Sequence, residues 1–285
     1  CYPLEKGMRT FVIAEAAATH DGSLAKAIAL VHLAADIGAD AVKFQWLSRA
    51  ERLCERRNAP EYLDAYRLLQ FSEAWFPDLA AICTARGIEF LTTCYLPEDI
   101  SVVARYVKRF KVSSFEATDP YFVALHAEWP EKQLIISAGM GADLRLALTA
   151  YGDGMRGDTA SASVRWRALH CVSAYPCPAE QIGLDALRSN ASHQWYQRRH
   201  GLSDHTRHPW TGALAVAAGA EIIEFHVRLD DTAPANADFT VARDPAEALE
   251  YVAHVREAEA MMGSGQPMIQ PAEEPMVRYR VGNAS

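Results

Sequence analysis

The feature that most constrains this chain is a regular beat of short apolar runs separated by longer amphipathic stretches. The runs are Phe11–Ala14, Ala41–Phe44, Ile88–Leu91, Phe110–Val112, Leu134–Ile136, Ala168–Cys171, a weak one at Gly201–Leu202, and Glu221–Phe225. Runs this short, without polar alternation, read as strands buried on both faces, which is what a parallel sheet covered by helices requires. The intervening segments Leu24–Ile37, Ser101–Lys108 and Pro209–Ala218 read as helices, with Ser23 placed to cap the first and Gly38 to stop it. Eight such units close into an α/β fold, the (β/α)8 TIM barrel of about 250 residues. An open doubly wound sheet would need G-x-G-x-x-G after the first strand, and the sequence has none there. The reading divides the chain into a barrel over 1–265 and a Pro-rich tail or linker over 266–285. Trp46 to Arg86 is too long for a simple crossover and is expected to carry an inserted helix, Pro60–Gln70. The seventh strand is the weakest, because Gln194–Gly201 (QWYQRRHG) is polar.

Composition narrows the function. With 28 basic and 36 acidic side chains, the formal charge of −8 argues against a nucleic-acid binder. No apolar run approaches the roughly 18 residues that span a bilayer, and the N-terminus lacks a basic-then-apolar signal, so a soluble cytoplasmic protein is expected. The six cysteines form no C-x-x-C pair, which favours buried free thiols over a disulfide scaffold or a zinc ribbon. Cys94 and Cys171 stand beside polar strand ends and could line a site.

In a barrel the C-terminal strand ends carry the chemistry. Every run leads into polar side chains there, among them Glu15, Lys43, Gln45, Thr93, Lys111, Ser114, Ser137, His170, Ser173, Tyr175, Ser203 and His226. Lys43 and Lys111 would enter one mouth, where a buried ammonium is costly unless an anion meets it. Thr93, Ser114, Ser137 and Ser203 add hydroxyl donors, so the set reads as a cradle for a phosphate or a carboxylate. His205 and His226 end the neighbouring seventh and eighth strands and could share a divalent metal. Asp204 is the candidate to orient an imidazole, and His20 and His170 are alternative ligands.

These residues carry a resemblance. Phe11–Gly22 (FVIAEAAATHDG), Gly38–Gln45 (GADAVKFQ), Phe90–Thr93 (FLTT), Phe110–Glu116 (FKVSSFE), Ile136–Met140 (ISAGM), Leu169–Pro178 (LHCVSAYPCP), Gly201–Thr206 (GLSDHT) and Ile223–His226 (IEFH) are similar, in order, to the N-acetylneuraminate (sialic acid) synthase family. The resemblance implies a barrel that condenses phosphoenolpyruvate with an open-chain 2-acylamino sugar, using Mn²⁺ or Mg²⁺, and releases phosphate, in a homodimer. It implies phosphoenolpyruvate contacts from Lys43, Thr93, Lys111, Ser114, Ser137, Ser173 and Ser203. Sugar contacts would come from Glu15, Gln45, Glu116, Tyr175 and Asp238, and metal ligation from His205 and His226. Glu15 or Glu116 would activate water, and the two lysines would offset the departing phosphate. Thr19–Gly22 (THDG) departs from the family's Asn-His-Asn-Gly, Ser173 stands where a member can carry Asn, and Pro234–Asp238 (PANAD) replaces a Pro-Gly-Pro-Asp turn. Family members continue into a small antifreeze-like domain that supplies an arginine to the sugar's acyl group; Ser285 falls where it would begin, so a weaker hold on that group is expected. Rival readings are a synthase for another 3-deoxy-2-keto sugar acid or a different aldehyde acceptor, a metal-dependent barrel hydrolase, and a catalytically silent sugar-binding barrel.

Overall fold

Eight parallel strands close on themselves in sequence order. They are β1 Phe11–Ala17, β2 Ala41–Gln45, β3 Glu89–Thr93, β4 Arg109–Val112, β5 Gln133–Ala138, β6 Trp166–Cys171, β7 Gly201–Asp204 and β8 Ile222–His226. Each contains or adjoins one of the eight apolar runs, so the barrel expected from the sequence is the barrel found. The computed structural model describes residues 9–154, 165–188, 196, 198–263 and 269–281. The polar stretch ahead of the seventh strand lies largely outside them. β7 begins at Gly201, whose missing side chain is a packing requirement, because a Cβ there would run into the Ile222 carbonyl on β8.

Helices cover the outside of the barrel. They are α1 Leu24–Asp36, α2 Ala50–Arg57, α3 Leu63–Arg67, α4 Phe76–Ala85, α5 Pro97–Ala104, α6 Pro120–Leu125, α7 Arg145–Gly154, α8 Thr211–Ala217, α9 Pro245–Met262 and α10 Glu274–Val277. Ser23 caps α1, accepting from the Lys26 amide, and Gly38 follows at φ 79. Three expectations need correction. The helix expected at Ser101–Lys108 lies one turn earlier, because Pro97 is suited to the first helical position and Glu98 and Asp99 favour the first turn. The single insertion expected over Pro60–Gln70 is a 3₁₀ turn, Pro60–Tyr62, followed by α3, and a further helix, α2, precedes it. The tail is not wholly irregular, since a 3₁₀ turn at Pro271–Glu273 leads into α10.

Strand periodicity stacks the barrel interior in layers. Ile13, Ala41, Leu91, Ile135, Leu169 and Ile222 form a separate buried apolar cluster. Two residues further along each of these strands stand Glu15, Lys43, Thr93, Ser137, Cys171 and Glu224. An apolar floor therefore lies directly beneath a polar layer.

Candidate active site

The polar layer lines a cavity at the C-terminal mouth. All the phosphoenolpyruvate, sugar and metal residues that the resemblance implies line it except Glu116, Ser173 and Asp238. Lys43 Nζ meets the Glu15 carboxylate, lies 3.7 Å from Glu224 Oε2 and donates to Thr93 Oγ1 at 3.1 Å. Lys111 Nζ donates to Ser137 Oγ at 2.7 Å and lies 3.4 Å from Glu224 Oε1, which also accepts from Ser203 Oγ at 3.1 Å. Two ammoniums and two carboxylates thus neutralise one another in a site almost closed to solvent, which is how buried charge is tolerated. Burial pushes the Glu15 carboxyl up to about 7, against the pull of Lys43 and with the help of Glu224. Burial depresses Lys111, and Glu224 counters it in part.

Glu224 was missed in the sequence, although it precedes His226 by two residues and so shares its interior-facing register. The missed signal was the strand period itself. Tyr95, Phe115 and Cys171 also line the cavity.

The two imidazoles converge as expected, with ring centroids 5.4 Å apart. His205 is held by a 2.7 Å contact from Nδ1 to the Val172 carbonyl and lies against the Tyr175 ring, with centroids 4.1 Å apart. Asp238 Oδ1 stands 3.4 Å from His226 Nδ1. Burial, then repulsion from His205, keeps His226 neutral, well below the usual histidine range. The orienting role expected of Asp204 is corrected. Its carboxylate accepts from Tyr251 Oη at 2.7 Å, Arg243 Nη2 at 3.2 Å and the Thr206 amide at 2.7 Å, so it ties β7 to α9. His20 and His170 do not line the cavity. His20 packs edge-on against Phe71 and Trp75, and His170 bonds the Ile182 carbonyl.

Glu116 is almost fully buried but committed elsewhere. Arg57 at the end of α2 grips its Oε1 at 3.0 and 2.6 Å, and the Ser113 hydroxyl donates to its Oε2. The same guanidinium lies over the rings of Phe115 and Tyr95, at 4.6 and 5.2 Å, which brace the cavity wall. Ser173 sits in an adjoining cleft beside Cys171, near Gly139, where any side chain would collide with the Ser173 and Ser114 hydroxyls.

A divalent cation suits the histidine pair: both rings are buried, they converge, and the Nδ1 of each is already engaged by or faces an oxygen acceptor. Among the described residues no third His, Cys, Asp or Glu completes a protein-only metal cluster. Such an ion would therefore depend on water and substrate oxygens for the rest of its shell.

Comparison with known proteins agrees with this geometry. The family model described as "NeuB family" matches residues 30–267. The chain is similar to the N,N'-diacetyllegionaminic acid synthase of Legionella pneumophila, at 34% identity over 96% of this chain and 79% of the relative. It is also similar to a pseudaminic acid synthase of Campylobacter jejuni, at 29% identity over 90% of this chain and 76% of the relative. A crystal structure of N-acetylneuraminic acid (sialic acid) synthetase from Leptospira borgpetersenii, in complex with citrate, superposes with a TM-score of 0.81 at 26% identity, covering 96% of this chain and 92% of that one. A closed eight-stranded barrel with paired lysines, hydroxyls and histidines at its mouth, matched by the family model over most of its length, belongs to the NeuB family.

Proposed function

We propose that this barrel condenses phosphoenolpyruvate with an open-chain amino-sugar aldose of the N-acetylmannosamine type, giving a nonulosonic 2-keto acid and phosphate. The observation that carries this reading is the convergence of Lys43, Lys111, Thr93, Ser137 and Ser203 in one cavity beside two imidazoles. The ammoniums and hydroxyls suit an anion that carries both a phosphate and a carboxylate. Among the described residues no arginine lines that cavity, which favours an acceptor without a second phosphate.

His205 and His226 would hold Mn²⁺ or Mg²⁺, which when bound would polarise the acceptor aldehyde. The remaining work falls to the chain. Lys43 and Lys111 fix phosphoenolpyruvate so that its C3 faces the aldehyde carbon, and orientation of this kind contributes several kcal/mol. As the carbon–carbon bond forms, positive charge develops at C2 and negative charge at the aldehyde oxygen. Water adds at C2 and gives its proton to Glu15, whose carboxyl is tuned near neutrality and suits a general base better than the Arg57-bound Glu116. The C2–O bond to phosphate then breaks as the new C2 hydroxyl becomes the ketone and its proton leaves with the phosphate. The aldehyde oxygen takes the proton held by Glu15, and the two lysines offset the leaving charge. A homodimer is part of the same proposal, to be checked by light scattering.

The decisive assay is phosphate release from phosphoenolpyruvate with a panel of aldoses and Mn²⁺. Release with N-acetylated amino sugars is expected; release only with phosphorylated aldoses, or with none, sinks the reading. The metal is tested separately by replacing both His205 and His226 with alanine. That variant should fold yet bind no divalent ion in equilibrium dialysis, and wild-type stoichiometry would move the site elsewhere.

A further inference from the structure

Two loops meet beside Asp238, joined by side-chain hydrogen bonds. The turn after β1 carries Asp21 in the left-handed region, at φ 50. Asp21 Oδ1 accepts from Asn236 Nδ2 at 2.9 Å, and Oδ2 accepts from the Ala233 amide and from Lys26 Nζ, each at 2.9 Å. All three partners are donors. An amide at position 21 would turn its own NH2 toward at least one of them, so the turn requires a carboxylate. Asn236 is largely buried and spends its amide completely. Its Nδ2 also donates to the Ala18 carbonyl at 2.9 Å, and its Oδ1 accepts from the Asp238 backbone amide at 3.0 Å.

Neither donor bond could be made by an aspartate. A second stitch runs from Thr232 Oγ1 to the Thr19 carbonyl at 3.1 Å. An unbroken path therefore leads from the rigid end of β1, through Asp21 and Asn236, to the backbone of the residue that faces His226. The two side chains fall in the two segments, Thr19–Gly22 and Pro234–Asp238, where the sequence departs from the family's pattern. In contact, they form one complementary donor–acceptor pair.

We propose that Asp21 and Asn236 are coupled positioning residues that set Asp238, which faces His226 at 3.4 Å, and so the affinity for the aldose acceptor beside the histidine pair, an inference that rests on the functional reading above. The test uses the full chain with Mn²⁺, in the variants Asp21→Asn, Asn236→Ala and the double variant. Acceptor and phosphoenolpyruvate are varied in turn, and amide hydrogen exchange is followed over 229–241. Each single change should raise the acceptor KM about tenfold, the worth of roughly one buried hydrogen bond, with the phosphoenolpyruvate KM changed by less than about twofold. The double variant should be no worse than the worse single one, since both break the same path. The Asp238 amide should exchange at least about tenfold faster in each variant, while β5 amides stay unchanged. Additive KM effects, parallel rises in both KM values, or wild-type exchange at Asp238 would overturn the proposal. If wild type releases phosphate with no aldose, the functional reading fails instead, and the exchange data still decide whether the bridge holds Asp238.

Discussion

Lys43 and Lys111 are equally buried in the barrel but hold different electrostatic positions. Lys43 is gripped by Glu15 and Glu224, which more than offset the burial that opposes its charge and raise its pKa. Lys111 leans on Glu224 alone among the carboxylates within ion-pair distance, and burial prevails. Replacing either by Met removes a charge-assisted contact to the anion and should weaken phosphoenolpyruvate binding by about 1.5–3 kcal/mol, roughly 10- to 150-fold. Acceptor affinity should change little. Isothermal titration with phosphoenolpyruvate alone checks this, and unchanged affinity in both variants would dismiss the anion cradle.

At the scale of elements, the inserted segment between β2 and β3 reaches over to β4. Consecutive arginines at the end of α2 make the connection. Arg57 binds Glu116, and Arg56 Nη2 lies 2.7 Å from Oδ2 of Asp119, whose Oδ1 caps α6. The positive charges sit where a helix C-terminus favours them. Arg57→Met would leave Glu116 buried beside a single hydroxyl, and breaking a buried pair from one side costs about 3–5 kcal/mol. Urea unfolding should register a loss of that order, with a substantial part restored in the Arg57→Met/Glu116→Gln double variant because no buried charge is then unpaired. If the single variant unfolds at the wild-type urea concentration, the insertion is not anchored here.

Across the whole molecule, three histidines that do not line the cavity are buried as neutral rings. Burial lowers His20 and His126 to about 4 and His200 to about 3 from an ordinary 6.5. His126 lies between Phe110 and Phe122, and His200 stands edge-on to Trp166. With the folded pKa below the unfolded one, the unfolded chain binds more protons between about pH 4 and 6.5, so stability falls as pH drops through that window. At pH 5 each ring should cost about 1–2 kcal/mol relative to pH 7.5. The check is the unfolding free energy of His126→Gln at both pH values. It should lose less than wild type on acidification, and an identical loss would show that His126 takes no part.

Sequence alone determined the eight strands, their order and the ring of polar side chains, because strand period and the geometry of βα units are local rules that survive in any window of the chain. Ile13 and Glu15, or Ala41 and Lys43, already announce a floor and a rim two residues apart. Only the tertiary structure decided which charges neutralise which. Glu224 meets Lys111 across 113 positions of sequence, Asp204 turns from the imidazoles toward Arg243 and Tyr251, and Arg57 claims Glu116. The physical reason is barrel closure. It brings β8 against β1 and faces strands across the interior at distances that no local pattern encodes, and the low dielectric there makes each such pairing decisive.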